Sequence, residues 1–164
     1  MFNNVNVIGY GWLMCRNKDG SIAWRRQFQN APTGVGLDYL AQVGFTGGAQ
    51  VTPWYIGLID GAGFSGLAFN DTMAAHAGWR ESIIYSGARP TWVNTESGQQ
   101  VSSNGVFTFT ITGTGILHGM FAVSNPTVGG STGILWATAI LPTDASISPG
   151  QSVTGNYNIA FTGS

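Results

Sequence analysis

The sequence predicts a mainly all-β fold, a jelly-roll-like antiparallel β-sandwich of about eight strands with one short helix near residues 33–43. Three observations carry this. "GVFTFTITG" alternates strictly between apolar and polar residues, several other apolar runs have strand length, and Gly, Pro, Ser and Asn clusters punctuate the chain between them. At 164 residues the chain has the length of one domain, and about eight antiparallel strands in that length fit two packed sheets better than a stack of hairpins. The expected division is an N-terminal hairpin over residues 1–30, the helix over 33–43 and a main body over 53–164.

The hairpin is the first element. "VNVIGYGWLMCR" and "SIAWRRQF" flank "NKDG", whose Asp19-Gly20 pair favours the positive φ angles of a tight turn. In "NAPTGVGLDYLAQVGF" the period changes: Val35 and Tyr39 are four apart, and Leu37, Leu40 and Val43 follow at steps of three, the spacing of one helix face. Thr33 is the expected N-cap and Gly44 the expected stop. "PWYIGLID" then reads as a strand that can be covered on both faces. In "GVFTFTITG", Phe107, Phe109 and Ile111 share one face and Thr108, Thr110 and Thr112 the other. "GILHGMFAV" and "TGILWATAIL" continue as apolar runs, and "SVTGNYNIAFT" closes with Val153, Tyr157, Ile159 and Phe161 in phase.

Charge is the most unusual feature of the composition. Only 8% of residues are Asp, Glu, Lys or Arg, against about 25% in an average soluble domain. Beyond Ser97 the one charged side chain is Asp144, so solubility there rests on Thr, Ser, Asn and Gln. Such a surface suits a protein packed against others. It lacks the basic stripe of a nucleic-acid binder, and no apolar run is long enough to cross a bilayer as a helix, so neither nucleic acid nor membrane is an expected partner. The start "MFNNVNVIGYG" lacks a basic segment, an apolar middle and a small-residue cleavage site, so export is not expected. Cys15 is the only cysteine, which rules out an intramolecular disulfide and predicts a small buried residue.

The stretch "DTMAAHAGWRES" gathers Asp71, His76, Trp79, Arg80 and Glu81 within twelve residues. Catalysis would require at least two of these to converge on one reacting atom, which nearness in sequence does not supply. A structural account covers all of them: Asp71 as an N-cap, Glu81 paired with Arg80 or Arg89, and Trp79 as a core anchor. A metal site through His76 and His118, or a carboxylate pair from Asp60 and Asp71, finds little support in the spacing. GK[ST] and HExxH are absent, and no GxGxxG lies between a strand and a helix, so no enzymatic activity, cofactor or metal is expected.

Trp54, Trp79, Trp92 and Trp136 lie in apolar runs, where a core role outweighs sugar stacking. Trp12 and Trp24 differ, because they sit in the hairpin beside Arg16, Arg25 and Arg26. Trp with Arg is the residue mix found at the centres of protein interfaces, so Trp12, Trp24, Arg25 and Arg26 are the candidate contact residues.

The order of pieces adds a further indication. "KDGSIAWRRQFQN", "TGVGLDYL", "WYIGLID", "NDTMAAHAGWRE", "YSGARPTW" and "GVFTFTITGTGILHGMFAV" follow one another over nearly the whole chain, and residues 71–92 are the most specific part. In this order they resemble a family of small structural proteins from the head region of tailed bacteriophages. The resemblance implies a decoration or cement protein on the outside of the capsid. Its partners would be the major capsid protein and neighbouring copies of itself, as a homo-oligomer on the shell. It brings no catalytic residues. The alternative is a carbohydrate- or receptor-binding module of a phage fibre or tail, for which Trp92 and Trp136 would be the stacking residues.

Overall fold

A computed structural model describes residues 4–163. The elements are β1 (Val5–Arg16), β2 (Ile22–Pro32), α1 (Gly34–Phe45), β3 (Trp54–Asp60), β4 (Thr91–Trp92), β5 (Asn94–Ser97), β6 (Gln100–Ser103), β7 (Phe107–Thr110), β8 (Gly115–Val123), β9 (Leu135–Ile147) and β10 (Ser152–Gly163). Strand makes up 52% of the described residues and helix 8%, so the fold there is mostly antiparallel β with one helix.

The strands follow a single bonded path, β4-β3-β8-β9-β2-β1-β10-β6-β5, and β7 also pairs with β10. There are ten strands rather than about eight, and they do not separate into two independently bonded sheets. Instead the sheet rolls into a nearly closed barrel. The two ends of the path, β4 and β5, are one stretch of chain interrupted only at Val93, so a single segment bonds to β3 at one end of the path and β6 at the other. β5 and β6 were invisible to hydrophobic patterning because "NTES" is fully exposed and "QVSS" has no buried residue.

The hairpin forms where expected. Asn17 N–H donates to Ser21 O at 2.8 Å, and Gly20 takes φ 86°, the left-handed conformation that a turn of this kind requires. Thr33 caps α1, its hydroxyl accepting from the Gly36 N–H at 3.1 Å. The helix runs past Gly44 to Phe45, with Thr46 as C-cap.

Two cores result. The larger fills the barrel with Leu13, Phe28, Leu58, Phe109, Met120 and Tyr157 among others. The smaller lies on the outer side of β3, β8 and β9, where Ile59, Phe121, Val123 and Leu135 are covered by Met73 and Trp79 from the chain between β3 and β4. β3 therefore buries Ile56 and Leu58 on one face and Ile59 on the other, as its unbroken apolar run suggested. Gly57 makes this possible: a Cβ there would sit 2.1 Å from the Phe121 ring, which lies directly on the β3 backbone.

Candidate interaction surfaces

Strand alternation divides the four predicted contact residues. In the β1–β2 register Met14 faces Arg25, Trp12 faces Gln27, Cys15 faces Trp24 and Leu13 faces Arg26. Leu13 and Cys15 are buried, so Trp24 and Arg26 share the inward phase, whereas Trp12 and Arg25 point out. On the outer face the Arg25 guanidinium lies 4.9 Å from the Trp12 ring centroid, a cation–π pair.

Trp24 and Arg26 occupy a split in the barrel. β2 bonds to β9 only through Asn30–Pro32, opposite Ala137–Ala139. Beyond this, Pro142 has no N–H to offer a ladder, and β9 bulges between Ile140 and Ala145 in its pairing with β8. The Trp24 indole N–H bridges the opening to Ser146 O at 2.9 Å, and Arg26 Nε reaches Thr143 Oγ1 at 2.8 Å. Half of the predicted set thus holds β2 to β9, and only Trp12 and Arg25 face solvent together.

The segment "DTMAAHAGWRES" folds as turns and bridges rather than a helix, so Asp71 is not a helix N-cap. Its carboxylate instead accepts from the Ala68 N–H at 2.8 Å and the Trp79 indole at 3.0 Å, pinning the loop over the outer core. His76 stacks on Trp79 at 4.0 Å between centroids, and its Nδ1 lies 2.9 Å from Trp79 O. Arg80 pairs with Asp60 at 2.9 Å. Glu81 pairs with Arg89, and Tyr85 donates its hydroxyl to Glu81 at 3.0 Å. Burial first, and the Glu81 charge second, push the Tyr85 phenol far up. Asp71, Glu81 and Arg89 are thus engaged in holding the loop and its surroundings together. His118 packs against Asp144 and Phe64, and among the described residues no three His, Cys, Asp or Glu groups are placed to hold a metal ion.

Trp92 and Trp136, the stacking residues of the carbohydrate alternative, are core residues with 4% and 6% exposure. Their indole N–H groups point inward, Trp92 to Tyr157 O at 2.9 Å and Trp136 to the Tyr157 hydroxyl at 3.1 Å. Trp79 is equally buried, and Trp54 packs edge-on to Trp136 and Tyr39. None of these four forms an open sugar platform.

A surface that the sequence reading missed lies on α1. Leu37, Ala41 and Phe45, four residues apart, are all exposed, Phe45 to 90%. Phe69, 62% exposed, extends the stripe at the helix start, where the Gly34 N–H donates to Phe69 O at 2.8 Å. The helix approaches the barrel through a glycine: a Cβ on Gly36 would lie 2.3 Å from Trp136 O. Leu40 packs on the core, while Leu37, expected on the same face, turns to solvent.

No helix among the described residues is long and apolar enough to cross a membrane. No family model matches the chain, and no curated protein matches it in sequence.

Proposed function

We propose that this chain is a bacteriophage capsid decoration or cement protein, seated on the outer surface of the virion against the major capsid protein and neighbouring copies of itself. The observation that carries the reading is the apolar stripe of Leu37, Ala41, Phe45 and Phe69 on a surface otherwise poor in charge. Covering a Leu or Phe side chain removes about 1.5–3 kcal/mol of exposure cost, and neutral Thr, Ser and Asn around it are cheaper to dehydrate than ions. One such contact is weak after the loss of translational freedom, but a homo-oligomer spanning several lattice sites multiplies it. The jelly-roll-like sandwich belongs to the same proposal, with the rolled sheet as the body that holds the stripe in place.

The contact residues proposed on sequence grounds are revised accordingly. Trp24 and Arg26 brace the β2–β9 split, and we place the main docking surface on α1. Phe45→Ser with Leu37→Ser is expected to leave the fold intact and lower the copies retained per shell at least about tenfold, a loss near 1.4 kcal/mol in binding. Gel densitometry of purified particles against the main shell protein measures this. Unchanged occupancy rejects the assignment.

A further inference from the structure

The outer face of β10, β1 and β2 carries two rungs of one pattern. The register places Trp12 between Asn156 and Gln27, and Tyr10 between Asn158 and Gln29. Their neighbours Leu13, Phe28 and Tyr157 are buried, so all six face outward. Rungs two residues apart along a strand are separated by about 7 Å and neighbouring strands by about 4.8 Å. Two aromatic rings therefore form a central column with amides on both flanks. Ile140 and Pro142, across the β2–β9 split, complete a trough of about 670 Å³.

The two asparagines are already oriented. Asn156 Oδ1 accepts the Trp12 backbone N–H at 3.2 Å, and Asn158 Oδ1 accepts the Ser103 N–H at 3.1 Å. The Asn158 amide also donates to Tyr10 O at 3.5 Å, whereas the Asn156 amide nitrogen makes no hydrogen bond among the described residues. Both glutamine amides, the Tyr10 hydroxyl and the Trp12 indole N–H make no hydrogen bond among the described residues. In Trp24, Trp79, Trp92 and Trp136, by contrast, the indole N–H is bonded within the protein.

The chemistry of a matching ligand follows. It presents flat C–H faces to the rings and hydroxyls to the flanking amides, and it carries no charge, because the trough lining is uncharged. A peptide seeking strand addition finds β1 bonded along both edges, by β2 and β10. A nucleic-acid strand needs several cations for its phosphates, and the cations beside this trough are Arg25 and Arg26, at its Gln27 and Pro142 end. We propose that this trough binds a neutral oligosaccharide, with Tyr10 and Trp12 as stacking surfaces and Gln27, Gln29 and Asn156 as hydroxyl partners. The proposal does not depend on shell attachment, which uses α1.

Titration calorimetry of the whole protein with neutral linear tetrasaccharides of glucose, mannose and N-acetylglucosamine tests it. At least one is expected to bind in the micromolar-to-millimolar range, and Trp12→Ala to weaken it at least about tenfold. Gln27→Leu with Gln29→Leu, at two exposed positions, gives the same test if Trp12→Ala fails to fold. Phe45→Ser is expected to leave sugar binding unchanged. Absence of binding by all three sugars up to about 10 mM, a concentration that captures even contacts of a few kcal/mol, overturns the proposal. So does binding that survives both the Trp12 and the paired Gln variants. If the Gln variants instead lose shell occupancy while the wild type binds no sugar, the wall is a protein contact and the sugar site is rejected.

Discussion

Arg89 and Glu81 meet in a two-point ion pair from which water is excluded: Nε lies 2.8 Å from Oε1 and Nη2 lies 2.7 Å from Oε2, with side-chain exposures of 0% and 5%. The remaining positions are also filled. Arg89 donates to Asn125 O and Gly130 O and lies 5.2 Å from the Phe121 ring centroid, while Glu81 accepts from Tyr85 and the Gly129 N–H. Removing one partner leaves a charge without compensation in a low-dielectric site. Arg89→Met is expected to cost about 3–5 kcal/mol in urea unfolding, and Arg89→Met with Glu81→Leu to cost clearly less than the sum of the single changes. Strict additivity would show that the two do not act as a pair.

The two halves of the hairpin set are expected to respond differently. Trp12→Ala with Arg25→Ala removes an exposed cation–π contact worth about 0.5–1 kcal/mol, so the midpoint of thermal unfolding falls by no more than about 4 °C. Trp24→Ala with Arg26→Ala removes two hydrogen bonds across the β2–β9 split and the packing of an indole, an expected loss of about 2–4 kcal/mol. Equal losses would contradict the division into outward and bridging pairs.

Alkaline pH is expected to weaken the fold in a defined window. Burial pushes the Cys15 thiol up to about 11 from an ordinary value of 9.0, and the Tyr157 phenol up to about 12 from 10.0. Both groups are held in their neutral form when folded. The stability they contribute is complete below pH 9 and is lost as the pH rises through 11 and 12. Urea midpoints measured from pH 8 upward are expected to fall through this range, and Cys15→Ala, though less stable throughout, to flatten the lower part. Cys15, with 0% exposure, is also expected to resist alkylation until the protein unfolds.

Local chemistry was legible in the sequence, and long-range geometry was not. The Asp19-Gly20 turn, the Thr33 cap and the alternation of Phe107 and Phe109 depend on neighbours a few residues away, and all three are present. The closure of the barrel by residues 91–97 depends on polar strands whose pairing has no signature in hydrophobicity. Asp71 looked like a cap because its next residues resemble a helix start, yet its partner is an indole eight residues on. The hairpin set is a different case. A period of two already separates Arg25 from Trp24 and Arg26, and treating the three as one cluster mistook adjacency along the chain for adjacency in space. The exposed side of α1 was hidden because the helix rests on the barrel through Gly36, which contributes no apolar signal.

Val5 pairs with Gly163 and Arg16 with Ser152, so the first and last strands run side by side for their whole length. The earliest strand therefore waits for residues 152–163 before it gains its second neighbour, so closure of the ring has high contact order. Passengers fused before Val5 and after Gly163 would emerge shoulder to shoulder. A short tether joining those positions would let the chain be reopened at the exposed Gly98–Gln99 turn, giving a circular permutant with its new ends displaced from the old ones.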